Sequence, residues 1–407
     1  MTQRRGRVLR TAAAVAVLST ACGVAGCAPT SSGPEDAQTV LLQRPAGSTN
    51  DTKIYDSVLA TCEKTTGITI KTQDIPSSGY LAKVLQQASS KTLPDVLMLD
   101  NGEVPQIAES GALAPLKPLG VTTNGFAEGV VQASTYGGEL YGVQPVANTI
   151  ALFVNTELLA AAGLKAPTTW DELKRTASIL TKGDTYGVAF SAAASEEGTF
   201  QFLPFFWSNG GDETNIPTSE GAAALQLWKD LVIAHAASES VLTWTQADVN
   251  DQFIAGKAAM MINGPWQFPS LDKAGVKYEA VALPAPQLGA EIVSPLGGET
   301  WTVPVTGNKE KMASAAQVVQ CLGSDASQLE LGSGRNLIPT NENLAGQYAQ
   351  ENPKMKGFVD QIPGLRARTA QLGPDYAKAS QTIYTAIQDV LTGGAEPLEA
   401  LRRAETK

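Results

Sequence analysis

The stretch DQFIAGKAAMMINGPWQF, Asp251 to Phe268, constrains the fold more than any other in the chain. It reads as the end of an amphipathic helix stopped at Gly256, since glycine takes the left-handed conformation after a helix at little steric cost. Ala258 to Ile262 is a short apolar run suited to a buried parallel strand. Asn263-Gly264 then signals a turn, and the fixed φ of Pro265 suits the first position of a new helix. Helix, strand, turn and helix in this order belong to an open α/β sheet. Trp266 falls at the carboxyl end of the strand, the edge where such sheets bind ligands.

With 407 residues the chain is long for one hydrophobic core, so two domains are expected. The N-terminus carries Arg4, Arg5, Arg7 and Arg10, then an apolar run from Thr11 to Leu18, then small residues. That order marks residues 1–26 as a secretory signal, too short for a lasting membrane span. Val24-Ala25-Gly26-Cys27 matches a bacterial lipobox, which makes Cys27 the expected lipid-attachment site in preference to Cys22. Arg4-Arg5 leaves twin-arginine export open beside the general route. Residues 27–37, rich in Pro, Ser and Gly, read as a tether that holds a soluble body off the membrane.

Without the signal the chain has 26 Lys+Arg against 40 Asp+Glu, a formal charge of −14. Such an acidic body argues against nucleic acid as a partner. Cys62 and Cys321 remain in the exported part, where a bridge is permitted but two buried thiols fit equally. The single histidine, His235, closes a helix and reads as a last-turn residue on the helix dipole. With no second ligand type nearby, neither a zinc cluster nor a Ser-His-Asp triad is supported. No metal and no cofactor are expected.

Strands at Thr39–Gln43, Ile68–Thr72 and Pro94–Asp100 alternate with helices at Ile54–Lys64 and Leu81–Ser89. This is a β-α-β-α-β run, one Rossmann-like lobe. Leu140 to Asn155 holds two strand-like segments around Pro145–Asn148, where the chain crosses in extended form. The second half continues with a capped helix at Thr168-Thr169-Trp170, a strand at Tyr186–Ser191, helices to Ala236, then the opening stretch. Strands at Lys277–Leu283 and Thr300–Val303 and a series of helices complete the chain.

The segments PDVLMLD with GALAPL, ELYGVQPVANTIALFVNTELLAAAGL followed by PTTWDEL, FFWSNGG, FIAGKAAMMINGPW, LGGETWTVP and LTGGAEPLEAL carry a resemblance. In order and spacing they resemble the extracellular solute-binding proteins of bacterial ABC importers, in the sugar-binding family that includes maltose-binding protein. The resemblance runs across nearly the whole mature chain. It implies an α/β, periplasmic-binding-protein-like fold of type II: two Rossmann-like lobes joined by extended hinge crossings, with the ligand between them. Both lobes would be discontinuous, 38–146 with 286–338 and 147–285 with 339–407.

A pyranose has an apolar C–H face and a rim of hydroxyls, so aromatic rings and fixed polar groups are the candidates to hold it. Trp266, Trp207 and Trp301 stand beside glycines or turns and are candidate stacking rings, as is Tyr80 after Ser77-Ser78-Gly79. Trp170, Trp228 and Trp244 are assigned to packing. The polar candidates are Asp100 at a strand end, Asn101 beside it, Asn148 at the crossing, and Glu299 after Gly297-Gly298. Gly298 would let backbone approach a ligand, and Arg335 follows Gly332-Ser333-Gly334. Asp100 serves equally as a helix cap.

The function expected is a lipid-anchored receptor that captures a sugar or oligosaccharide outside the cell and passes it to a membrane permease. It would act as a monomer, by hinge closure and without catalysis. Two alternatives stay open: a receptor for another solute, such as a phosphorylated polyol or a peptide, and a secreted glycoside hydrolase using Asp100 and Glu299.

Overall fold

The computed structural model describes residues 37–406 apart from 47, 48, 77, 78 and 360. The signal, Cys27 and Ser77-Ser78 lie outside the described residues. Among those residues, no helix is long and apolar enough to cross a membrane.

The N-terminal β-α-β-α-β run folds as its alternation predicts. One sheet has five strands in the order Thr69–Ile75, Thr39–Pro45, Val96–Asp100, Glu299–Thr302, Gly142–Val143. The first three are parallel, while Glu299–Thr302 enters antiparallel to both its neighbours. Helices cover both faces, as a mostly parallel sheet requires. One face packs under helices Thr49–Thr66 and Lys309–Leu322, with Val40, Leu42, Val96 and Trp301 buried in that core. The other packs Leu97 and Leu99 against Tyr80, Val84 and Ile107.

The second lobe is built on strands Tyr278–Val281, Ala151–Asn155 and Met260–Asn263. The strand expected from Ala258 as a parallel one runs from Met260 and pairs antiparallel with Ala151–Asn155. Its other side meets Tyr186–Ala189 through parallel bridges, so the sheet is mixed. Trp228 is fully buried among Phe190, Phe202 and Phe205, with ring centroids 4.4, 5.1 and 6.0 Å away. These rings form the centre of the lobe's larger core.

Three extended crossings join the lobes side by side. Val146-Ala147 pairs with Ile338-Pro339, and Asn148 and Gly297 exchange backbone hydrogen bonds of 3.0 and 2.9 Å. The expected return at residue 286 comes too early. Ile292 and Val293 still pack on the second core, and pairing with Asn148 begins at Gly297, so the chain returns at Leu296–Gly298. Helix Asp325–Arg335 runs through Gly332 and Gly334, so Arg335 is its last residue. A Cβ on Gly334 would overlap Ile54, so glycine there allows close approach to helix Thr49–Thr66. His235 lies beyond the helix ending at Ile233 and takes a left-handed φ of 54°; it closes the helix from outside its last turn.

Cys62 and Cys321 form a disulfide with Cα atoms 5.7 Å apart, joining helices Thr49–Thr66 and Lys309–Leu322 across 259 residues of sequence. A link over so long a loop restricts the unfolded chain strongly, and native bridges commonly contribute about 2–4 kcal/mol. Thiol titration of the unfolded, unreduced chain from residue 28 onward should find no free thiol. Cys62→Ser should lower the melting temperature by several degrees. Two titratable thiols would remove the bridge.

Candidate ligand-binding cleft

The crossings place a cavity of about 580 Å³ between the lobes, within the usual range for small-molecule sites. Six sequence candidates line it: Asp100, Asn148, Trp266, Gly298, Glu299 and Arg335. Each stands at an element end. Trp266 lies in a single 3-10 turn, Pro265–Gln267, directly after strand Met260–Asn263. Its ring lies over Gly264, where a Cβ would overlap the indole. The Asn-Gly turn is therefore also the seat of the tryptophan.

On the first lobe, Asp100 and Glu299 stand directly opposite each other on neighbouring strands. Like charges so placed repel, and each carboxylate is answered by its own arginine. Arg335 donates to Glu299 at 2.9 and 3.2 Å, to Asp51 at 3.0 Å and to the Tyr55 hydroxyl. Burial works against its charge, yet the Glu299 and Asp51 charges override it and hold the Arg335 pKa well above its ordinary value. Asp100 is both helix cap and cleft wall. It accepts from the Gly102 N–H at 2.9 Å and from Arg368 at 2.6 Å.

Arg368 was not foreseen. It directly follows strand Leu365–Ala367, which pairs with Ser294–Leu296 at the start of the returning crossing, and is 4 % exposed. It donates to Asp100 and Asn101 of the first lobe at 2.6 and 2.7 Å, and to Glu196 of the second at 2.6 Å. Its guanidinium carbon lies 5.1 Å from the Phe200 ring centroid. Glu196 also accepts from Tyr376 at 2.8 Å and from Ser380. Glu196, Glu197 and Phe200 share the first turn and a half of helix Glu196–Ser208. Two acids after Ser195 were the available signal for that helix start. Gln246 and Gln267 add polar groups to the same wall.

Four candidates are placed away from the cavity. Asn101 is buried directly behind it, with its amide spent on Gln144, Leu296 and Arg368. Trp301 shares the face of Glu299 by strand alternation, but sits two residues deeper, fully buried and edge-on to Tyr55 at 5.7 Å. Trp207 is buried in the second core, donating to Glu213 at 2.8 Å, with Arg366 over its ring. Tyr80 donates to the Met98 carbonyl at 2.7 Å beneath the first sheet. Adjacent glycines marked turns at these tryptophans, and the turns lead into the cores. Among the described residues no group of three or more His, Cys, Asp or Glu could hold a metal ion.

Two α/β lobes, three extended crossings and a cleft walled by rings and hydrogen-bonding groups define a two-lobed solute-binding protein. The sequence agrees with that class over most of its length. The chain belongs to the family of bacterial extracellular solute-binding proteins, which matches residues 57–357. It is 24% identical to the maltooligosaccharide ABC transporter solute-binding lipoprotein of Streptococcus pneumoniae serotype 4, over 95% of each chain. The GacH receptor of Streptomyces glaucescens, solved unliganded and with acarbose, is 26% identical, with a TM-score of 0.78 over 90% of this chain and 96% of that one. An ABC transporter solute-binding protein of Thermotoga lettingae bound with α-D-tagatose is 25% identical, with a TM-score of 0.77 over 90% and 98%.

Glu103 lies just under this wall, accepting from the Asp100 N–H at 3.2 Å. Burial first, then the Asp100 charge, push its carboxyl up to about 8, with Glu196 adding to the rise and Arg368 opposing it. In the unfolded chain it titrates near about 4.3. Between those values the folded state holds a proton that the unfolded state has lost, so stability falls as pH rises through this window. The melting temperature of the native protein should therefore drop between about pH 5 and 8 relative to Glu103→Gln and run level with it above. A difference independent of pH would show that Glu103 is ionised in the fold.

Proposed function

We propose that this protein is a lipid-anchored receptor of an ABC importer, which captures a sugar or oligosaccharide by closing its lobes and delivers it to the membrane permease. The observation that carries the reading is the cleft itself: Trp266 and Phe200 on the second lobe share the cavity with carboxylates and the Arg335 guanidinium on the first. Rings cover the apolar face of a pyranose, and charged groups satisfy its hydroxyls with strong hydrogen bonds. Relatives named for maltooligosaccharide, acarbose and tagatose support the same class of ligand.

The moving bodies are the two lobes read from the sequence, with the return crossing shifted to Leu296–Gly298. Paired crossings bend together, and a ligand held by both walls favours the closed form by its extra contacts there. The cavity lining holds five carboxylates, Asp51, Asp100, Glu196, Glu197 and Glu299, against the two guanidiniums of Arg335 and Arg368. That excess favours a neutral sugar over a phosphorylated polyol. Asp100 and Glu299, the pair offered for hydrolysis, stand side by side on one wall, whereas hydrolysis needs a carboxyl on each side of the bond. Binding without turnover is the function proposed. The body works as a monomer, anchored through the thiol of Cys27.

A thermal-shift screen over mono- and oligosaccharides should raise the melting temperature for one of them with no product formed. Turnover would overturn the receptor reading, and no response to any sugar would overturn the ligand class. Gly264→Ala is the sharper probe of the wall. The backbone at Gly264, φ −109° and ψ 172°, accepts alanine, so the new methyl displaces only the indole. Gly264→Ala and Trp266→Ala should each weaken binding at least tenfold, about 1.4 kcal/mol, and leave the melting temperature of the free protein nearly unchanged. Unaltered affinity in both would return Trp266 to a packing role.

A further inference from the structure

The lobes meet outside the crossings as well. Helix Val104–Glu109 of the first lobe lies against the turn Gly373–Asp375 of the second. A few residues earlier in each segment, Arg368 of the second lobe meets Asp100 and Asn101 of the first.

Arg368 is not shared evenly between the lobes. Its guanidinium is seated on the second, where Nη1 donates to Glu196 at 2.6 Å and the central carbon lies 5.1 and 6.0 Å from the ring centroids of Phe200 and Tyr376. Both bonds to the first lobe come from one nitrogen, Nη2, which donates to Asp100 at 2.6 Å and to Asn101 at 2.7 Å. Burial works against the charge, and the Asp100 carboxylate first, then that of Glu196, holds the Arg368 pKa well above its ordinary value. Separating the lobes therefore strips two charge-assisted hydrogen bonds from a guanidinium whose other half stays fixed. Gly102 packs against the same group. A Cβ there would lie 3.4 Å from the guanidinium carbon and 3.1 Å from Asp100 Oδ1. Gly102 belongs to the single 3-10 turn Asn101–Glu103, has no left-handed φ and does not line the cavity, so a larger residue at this position acts on Arg368 alone.

We infer that Arg368 is a latch between the lobes, made by the protein's own residues, which keeps them together in the free receptor, so that a ligand enters only when Nη2 releases Asp100 and Asn101. The sugar is then not what first closes the cleft. It selects a transiently open form, and its association rate levels off at the rate of opening. The latch goes beyond the receptor reading, because it is a property of the free protein.

Small-angle scattering of the chain from residue 28 onward, without sugar, tests the latch directly. Gly102→Leu, which drives a side chain between the guanidinium and the first lobe, and Arg368→Gln, which removes the charge, should each enlarge the radius of gyration by about 1 Å, the scale of a hinge opening in a chain of this size. Gly102→Ala, whose methyl already crowds the guanidinium, replaces a variant that fails to fold. An unchanged radius of gyration in the folded variants, whatever their melting temperatures, makes Arg368 a packing charge and overturns the latch. Stopped-flow tryptophan fluorescence with a sugar that stabilises the protein tests entry. The observed association rate of the native protein should level off as sugar concentration rises, and that of Gly102→Leu should stay linear over a range about tenfold wider. Equal curvature in the two proteins, or a native rate that stays linear throughout, overturns latch-limited entry. If no sugar binds, the receptor reading falls, and the scattering result still decides the latch.

Discussion

One buried guanidinium sets the geometry of the cleft. Arg368 takes Asp100 and Asn101 from the first lobe and Glu196 from the second, all within 2.7 Å. Removing such a cation from water costs several kcal/mol, which its partners return only while they stay in place. Those partners are fixed in turn. Asp100 caps the turn that follows its strand, and Glu196 is held by Tyr376 and Ser380 from helix Tyr376–Leu391. Without Arg368, Asp100 would face Glu299 across the strands with half of the compensating charge gone. The walls of the cavity and the junction of the lobes thus share one electrostatic centre.

The backbone around that centre makes the same demand in another form. Asn148 and Gly297 bond to each other across the crossings, and Gly298 takes φ 138°, where a Cβ would crowd the Val146 carbonyl. Side-chain bulk at either glycine would separate the crossings that any closure has to bend. On the proposed reading, the Gly297-Gly298 pair therefore belongs to the hinge as much as to the ligand. It also brings Glu299 to the cleft edge as the first residue of its strand.

Much of this was legible because it is written in local patterns. Strand alternation with intervening helices gave the first lobe, and the Gly256 stop with the Asn-Gly-Pro turn located Trp266 at a strand edge. Asp100, Asn148, Glu299 and Arg335 were reachable because strand ends and crossings have turn chemistry. Arg368 was not, since it lies in no motif and acquires its role from partners more than 170 residues away in sequence. Trp301 shows the converse limit. Its period-two position puts it on the face of Glu299, but only the covering helix, with Tyr55 against the ring, decides that this depth is core. The same long-range gap left the cysteine pairing open, because the helices carrying Cys62 and Cys321 meet only in the folded lobe.

On the proposed sugar-receptor reading, the two walls divide the work of recognition. On the first lobe the carboxylates and Arg335 already satisfy one another, so a ligand hydroxyl there exchanges one good hydrogen bond for another and gains little net free energy. Affinity has to come from the second lobe, where Trp266 offers a half-covered ring that gains by losing its water. Selectivity has to come from the first, because a ligand that disturbs those pairs without replacing their hydrogen bonds leaves buried charge uncompensated. A sugar of the wrong stereochemistry would still stack but would break a pair that it cannot repair. The acidic excess of the lining acts in the same direction, by excluding anionic solutes before any hydroxyl is read.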